Sequence, residues 1–179
     1  MFYPWHAGVK IITMIKLDQT TFLNFFFQKL NEVGIDISQY EMDHLGYQAS
    51  SNEDYDQLKQ ELQKEGDFLD ENLVGGRRVG LFMLKQPLFY KNYSITALEL
   101  IAPKEEQVCP SALEHAEFII DEDFESFTQK YPHLAWDKSK MNQPMFPMVS
   151  LKLDDNIQVK FHHQPVFEIA KEKLSKIKS

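Results

Sequence analysis

Two acid–histidine pairs, Asp43-His44 and Glu114-His115, stand at matching places in two similar runs of sequence. After the first pair, His44, Gly46 and Gln48 alternate with Leu45, Tyr47 and Ala49, the period of a strand with one apolar face. Capping side chains at 50–53 lead into a helix with Tyr55, Leu58 and Leu62 at helical spacing up to Gly66. Strands over 67–74 and 79–84 flank Gly75-Gly76, a hairpin signal, and Pro87 is expected to end the second of them. A further strand, Tyr93 to Ile101, stops before Pro103. The second run begins alike. His115 to Ile120 alternates, Asp121 and Asp123 offer caps, and Phe124, Phe127 and Tyr131 anchor a helix. Residues 132–147 hold three prolines and resist assignment. Met148–Leu153 and Ile157–His162 then read as a hairpin about Asp154-Asp155-Asn156, followed by Pro165. Self-similarity on this scale points to a duplicated unit.

The expected fold is therefore α+β. Two tandem βαβββ modules, about 40–103 and 112–165, form a curved, partly open mixed sheet or barrel within one domain over 20–170. A helix with a broad apolar stripe, Thr20 to Val33, precedes them and a helix from about Val166 follows. Residues 1–19 read as an N-terminal extension, and Met14 is a second candidate start. With 179 residues, 43% of them hydrophobic and 13% aromatic, the chain can bury a sizeable core.

Charge narrows the partners. Nineteen basic against 27 acidic residues leave a net charge of −8, with no basic stripe to override it, so nucleic acid is not an expected partner. The apolar patches near the N-terminus are broken by Lys10 and Lys16, and no apolar run reaches the length of a membrane span. One cysteine, Cys109, argues against a disulfide framework. The expectation is a cytoplasmic protein, monomer or homodimer.

The chemistry-bearing residues follow from the repeat. If the first and last strands of a unit lie near one another, His44 and Glu99 come together from one half, and His115 and His162 from the other. Such a His and carboxylate set suits zinc, manganese, iron or nickel better than calcium. Glu99 shares a strand face with Ile95, Ala97 and Ile101, where a carboxylate is costly unless paired or metal-bound. An ion pair with Arg77 or Arg78 would also satisfy it. Glu117 points to the same side as His115 and could be a ligand, a general base or a partner that orients a histidine. Lys160 and Gln158 share the face of His162 and could be simply solvated. Arg77 could bind an anionic group through its planar fork. His6, His133 and His163 have no counterpart in the repeat and read as structural or solvated.

The ordered residues Asp43-His44, Glu71-Asn72, Gly76-Arg77, Leu98-Glu99-Leu100, Glu114-His115-Ala116-Glu117 and Lys160-Phe161-His162 resemble the YecM-like proteins. These belong to the vicinal-oxygen-chelate superfamily, with the glyoxalase and extradiol-dioxygenase folds. The resemblance covers roughly residues 20–170. It implies paired βαβββ modules and a divalent metal held by His44, Glu99, His115 and His162; the superfamily often has glutamate in the fourth of these places. It further implies a metal-binding protein similar to isomerases and oxygenases. The first expectation is then a metal-dependent enzyme whose ion binds two neighbouring oxygens of a small substrate, with isomerase, lyase or oxygenase chemistry, Glu117 as catalytic base, and Arg77 and Lys160 binding substrate. The competing expectation is a metal-free module of the same fold that binds a small ligand. A pure interaction protein would leave Glu99 without a reason.

Overall fold

A computed structural model describes the backbone of residues 11–177 and the side chains of residues 19–171. Seven strands form one open mixed sheet in the order β2-β3-β4-β1-β5-β7-β6. In chain order the elements are α1 (Ile11–Glu32), β1 (Glu41–Gln48), α2 (Asn52–Glu65), β2 (Gly66–Val74), β3 (Arg77–Tyr90), β4 (Tyr93–Ile101), β5 (Ala112–Ile119), α3 (Phe124–Gln129), β6 (Met148–Asp154), β7 (Ile157–His162) and α4 (Val166–Ile177). None of the described helices is long and apolar enough to cross a membrane.

Local chemistry sets the boundaries. Gly34, at φ 77°, closes α1, and the amide of Ile35 donates back to the Leu30 carbonyl at 3.0 Å. Ser51 caps α2 by accepting from the Asp54 amide, and Asp123 caps α3 by accepting from the Ser126 amide. Gly75 and Gly76 both take positive φ, as a two-residue hairpin whose turn matches the strand twist requires. α1 begins at Ile11, well before the expected Thr20, so much of the supposed extension is helix; residues 1–10, with His6, lie outside the described residues.

Two elements depart from expectation. β3 does not stop at Pro87 but runs on to Tyr90; its register with β4 jumps between Met83↔Ala97 and Leu88↔Ile95. The extra residues form a bulge, where a proline need not donate to the ladder. The second unit also has one strand fewer than the first. Prolines 132, 144 and 147 keep the chain out of regular pairing, and only Asp137 bridges β6, at Ser150. That single bridge stands where β2 stands in the first unit.

The two units meet at β1 and β5, which pair antiparallel at the middle of the sheet, while β1–β4 and β5–β7 pair parallel. On one face, Leu45, Ala116, Phe118, Val159 and Phe161 pack with Phe26 of α1, Tyr55 of α2 and Phe127 of α3 into the main core. Rings stack through it, with Phe118 5.9 Å from Phe161 and 6.2 Å from Phe26 between centroids. The other face carries the polar residues. There Val166 and Ala170 of α4 pack against Leu81 and Ala97.

Phe118 ties the sheet to α1 and is fully buried. Phe118→Ala is expected to cost about 3–5 kcal/mol of folding free energy, read from the shift of the urea unfolding midpoint at unchanged slope.

Candidate metal centre

Each acid–histidine pair sits on a β-bulge. Met42 pairs with Phe118 and His44 with Glu117, so two steps along β1 match one along β5 and Asp43 is the extra residue. Further along, Gly46 pairs with His115 and Tyr47 with Leu113, so Glu114 is the extra residue of β5. A bulge re-aims a side chain, and here it turns each acid to the side of the histidine that follows it. Asp43 Oδ2 lies 2.8 Å from His44 Nδ1, and Glu114 Oε1 lies 3.0 Å from His115 Nδ1. Carboxylates only accept, so both rings donate from Nδ1 and turn Nε2 into the site. This is the arrangement by which proteins orient metal-binding imidazoles.

The two Nε2 atoms meet two carboxylates. His44 Nε2 is 3.6 Å from Glu99 Oε2 and 3.4 Å from Glu117 Oε1; His115 Nε2 is 3.5 Å and 3.2 Å from the same atoms. All four donors lie within 4.8 Å of one another. Four ligands about 2.1 Å from a common ion in a tetrahedron are about 3.4 Å apart, so these separations fit a first-row divalent metal. Among the described residues, His44 Nε2, Glu117 Oε2 and His162 Nε2 are buried without a hydrogen-bond partner, and an ion at the four donors would satisfy the first of them.

Burial disfavours charge on His44, but Glu117 and Glu99 and its bond to Asp43 outweigh it and hold its pKa well above the ordinary value. Burial and the Lys160 ammonium oppose protonation of His115. Glu114, Glu117 and Glu99 overcome both and raise it to about 9. Burial works against ionisation of Glu117, yet Lys160 and the two histidines hold it well below the usual carboxylate range; Glu99 is held low likewise, chiefly by His44 and His115.

Lys160 is no solvated surface residue. Its Nζ donates to Glu117 Oε1 at 2.7 Å and lies 3.1 Å from His115 Nε2. His162 stands beside the donor set, outside it. Its Nδ1 donates to the Gln164 carbonyl at 2.8 Å, and its Nε2 faces Asp43 Oδ2 at 3.4 Å and Glu117 Oε2 at 3.5 Å. The sequence pattern sets His162 opposite Glu99 as the last-strand residue of its unit. The register sets Lys160 there instead, since Gly46 pairs with Glu99 and Glu117 with Lys160. Arg77 and Arg78 leave Glu99 to the histidines: Arg77 Nη1 donates to Gln48 Oε1 at 3.1 Å, and Arg78 Nη1 to Asp56 Oδ1 at 2.7 Å.

The sequence reading did not assign Gly46 a role. A Cβ there would lie 2.0 Å from His115 Cε1, so the ring rests on bare backbone. The site opens into a cleft of about 640 Å3 whose lining includes Glu99, Glu117, Lys160 and Arg77, with Lys104 and Lys140 also on its wall. Val166, Ile169 and Ala170 of α4 form part of its lining.

Gly46→Ala is expected to displace the His115 ring and destabilise the protein by about 1–3 kcal/mol, read by chemical denaturation. The raised His115 pKa gives a second expectation for the metal-free protein. The stability that its protonation contributes is complete below pH 6.5 and is lost as pH rises through about 9. Unfolding midpoints in chelator should fall across that window, and His115→Gln should flatten part of the fall.

Comparison with known proteins agrees with the fold. An uncharacterised protein of Haemophilus influenzae is 29% identical over 109 residues, 61% of this chain and 57% of that protein. Protein YecM of Escherichia coli is 23% identical over 116 residues, 65% of this chain and 62% of that protein. The matched stretch spans about three fifths of the length of these curated relatives. Among solved structures, the structural-genomics protein EC4020 superposes with a TM-score of 0.78 at 20% identity, covering 97% of this chain and 98% of that one. A Streptomyces coelicolor methylmalonyl-CoA epimerase variant, in complex with 2-nitronate-propionyl-CoA, gives a TM-score of 0.50 at 10% identity, over 70% of this chain and 95% of that one. It shares the fold over that stretch. The family model described as YecM protein matches residues 12–173, nearly the whole described chain, and the chain belongs to the YecM family.

Proposed function

We propose that the protein is a metal-dependent enzyme that binds one divalent ion through His44, Glu99, His115 and Glu117 and acts on a small anionic substrate with two neighbouring oxygens. The observation that carries this reading is the convergence of two histidine Nε2 atoms on two carboxylate oxygens, each Nε2 3.2–3.6 Å from both oxygens and all four within 4.8 Å, with both imidazoles oriented by acids behind them. Zinc, manganese, iron and nickel all suit the donor set. When bound, the ion polarises substrate oxygens and stabilises negative charge that develops on them.

The chain's own residues supply the rest. Glu117 lines the cleft and is the candidate general base, its Oε2 having no hydrogen-bond partner. Arg77, whose guanidinium donates to the neutral Gln48, can offer two parallel N–H donors to a carboxylate or phosphate. Lys160 lines the same cleft and adds a second positive charge. Proton transfer beside a carbonyl is the chemistry this arrangement suits best, and the epimerase that shares the fold supports an isomerase over a lyase or oxygenase. A metal-free binder of small anions is the second reading. It is favoured by Lys160, whose ammonium already sits against Glu117 Oε1 and His115 Nε2.

Metal content of untagged protein, stripped and then reconstituted with manganese, iron, nickel or zinc, separates the two. One equivalent per chain, lost in His44→Ala and in Glu99→Ala, is the expected result. Asp43→Asn should weaken the affinity by about 10–100-fold, since the acid orients His44 behind the site; its bond from the Val166 amide ties the same oxygen to α4. Absence of uptake for all four ions, with small carboxylates still bound, would leave the metal-free reading.

A further inference from the structure

The register of the sheet relates the two halves residue by residue. His44 of β1 corresponds to His115 of β5, Gly46 to Glu117, and Glu99 of β4 to Lys160 of β7. In the second half, the carboxylate has moved from the outer strand to the inner one, two residues after the histidine. The outer place, which in the first half carries a donor, carries an ammonium. The donor set therefore keeps two imidazoles and two carboxylates, and a lysine is added to them.

That lysine competes for the same atoms. His115 Nδ1 donates to Glu114, which leaves Nε2 facing the site. Lys160 Nζ stands 3.1 Å from that Nε2 and donates to Glu117 Oε1 at 2.7 Å. An ammonium in that place takes up the space and the carboxylate charge that an ion between these two residues would need. His44 differs: its Nε2 carries no such cover and has no partner. The lysine side chain is 14% exposed and lies on the wall of the cleft, so its ammonium has somewhere to go.

We propose that Lys160 is a built-in cation that holds the place of the metal at His115 and Glu117, and that metal loading displaces it into the cleft. This inference rests on the metal-centre reading above. It makes Lys160 a positioning residue that sets metal affinity, and it orders binding. The ion enters first beside His44, and the released ammonium then faces the position of the substrate's anionic group.

The test is isothermal titration of stripped protein with Zn2+ and with Mn2+, for wild type, Lys160→Met, Lys160→Gln and Lys160→Arg. Removing a unit charge this close to a divalent ion should tighten binding of both metals at least about tenfold in the Met and Gln variants. The Arg variant, which keeps the charge, should not bind more tightly than wild type. Met and Gln variants that bind as wild type does, or more weakly, overturn the proposal and leave the metal centre standing. No uptake by wild type or any variant overturns both. If the neutral variants fail to fold, a crystal structure of metal-loaded wild type decides. Lys160 Nζ beyond hydrogen-bond distance of His115 Nε2 supports displacement, and an intact bond with the ion bound overturns it.

Discussion

The antiparallel pairing of β1 with β5 is the contact on which the molecule depends. It joins the two units into one sheet and places His44 and His115 side by side, with ring centroids 5.9 Å apart. Two bulges within that one ladder turn Asp43 and Glu114 behind the rings. A straight ladder would send each acid to the opposite face, into the aromatic core, where an unpaired carboxylate is not tolerated. The irregularity is thus what allows an acid and its neighbouring histidine to act on the same side of a strand.

Around this seam the face is charged to an unusual degree for an interior. Asp43, Glu99, Glu114 and Glu117 gather about two imidazoles and the ammonium of Lys160. Removing one member of such a set leaves the others uncompensated, so the group behaves as a unit. The opposite face supplies the rigidity this demands. Phe118 and Phe161 alternate along the very strands that carry Glu117 and Lys160, and they fix the backbone that aims them.

Much of this was legible in the sequence because period and punctuation are local signals. The alternation from His44 to Ala49, the Gly75-Gly76 turn and the aspartate cap of α3 each announce themselves within a few residues. The convergence of His44, Glu99 and His115 was also legible, since a repeat implies matched strands. What escaped depends on register. Whether Lys160 or His162 stands opposite Glu99 is a question of two residues, and only the ladder between β5 and β7 answers it. The bulges leave a fainter trace: Met42 and Leu45, and again Leu113 and Ala116, are core residues at a spacing of three where strict alternation allows two or four. β3 passes through Pro87 for a related reason, since a bulge excuses the missing donor. The absent strand of the second unit is written in its prolines, though not the bridge by which Asp137 takes its place.

The bare backbone at Gly46 has a consequence for ancestry. In a symmetric assembly of two identical units, whatever residue stands at one of these central positions must stand at the other. One histidine could not then rest on glycine while its twin faces a carboxylate. The observed centre needs Gly46 on one strand and Glu117 on its mate, so it is available only to a protein whose halves are covalently joined and free to mutate separately. Fusion of the two units thus permits a lopsided site, with an open imidazole on one side and a guarded one on the other, that no homodimer of a single unit could encode.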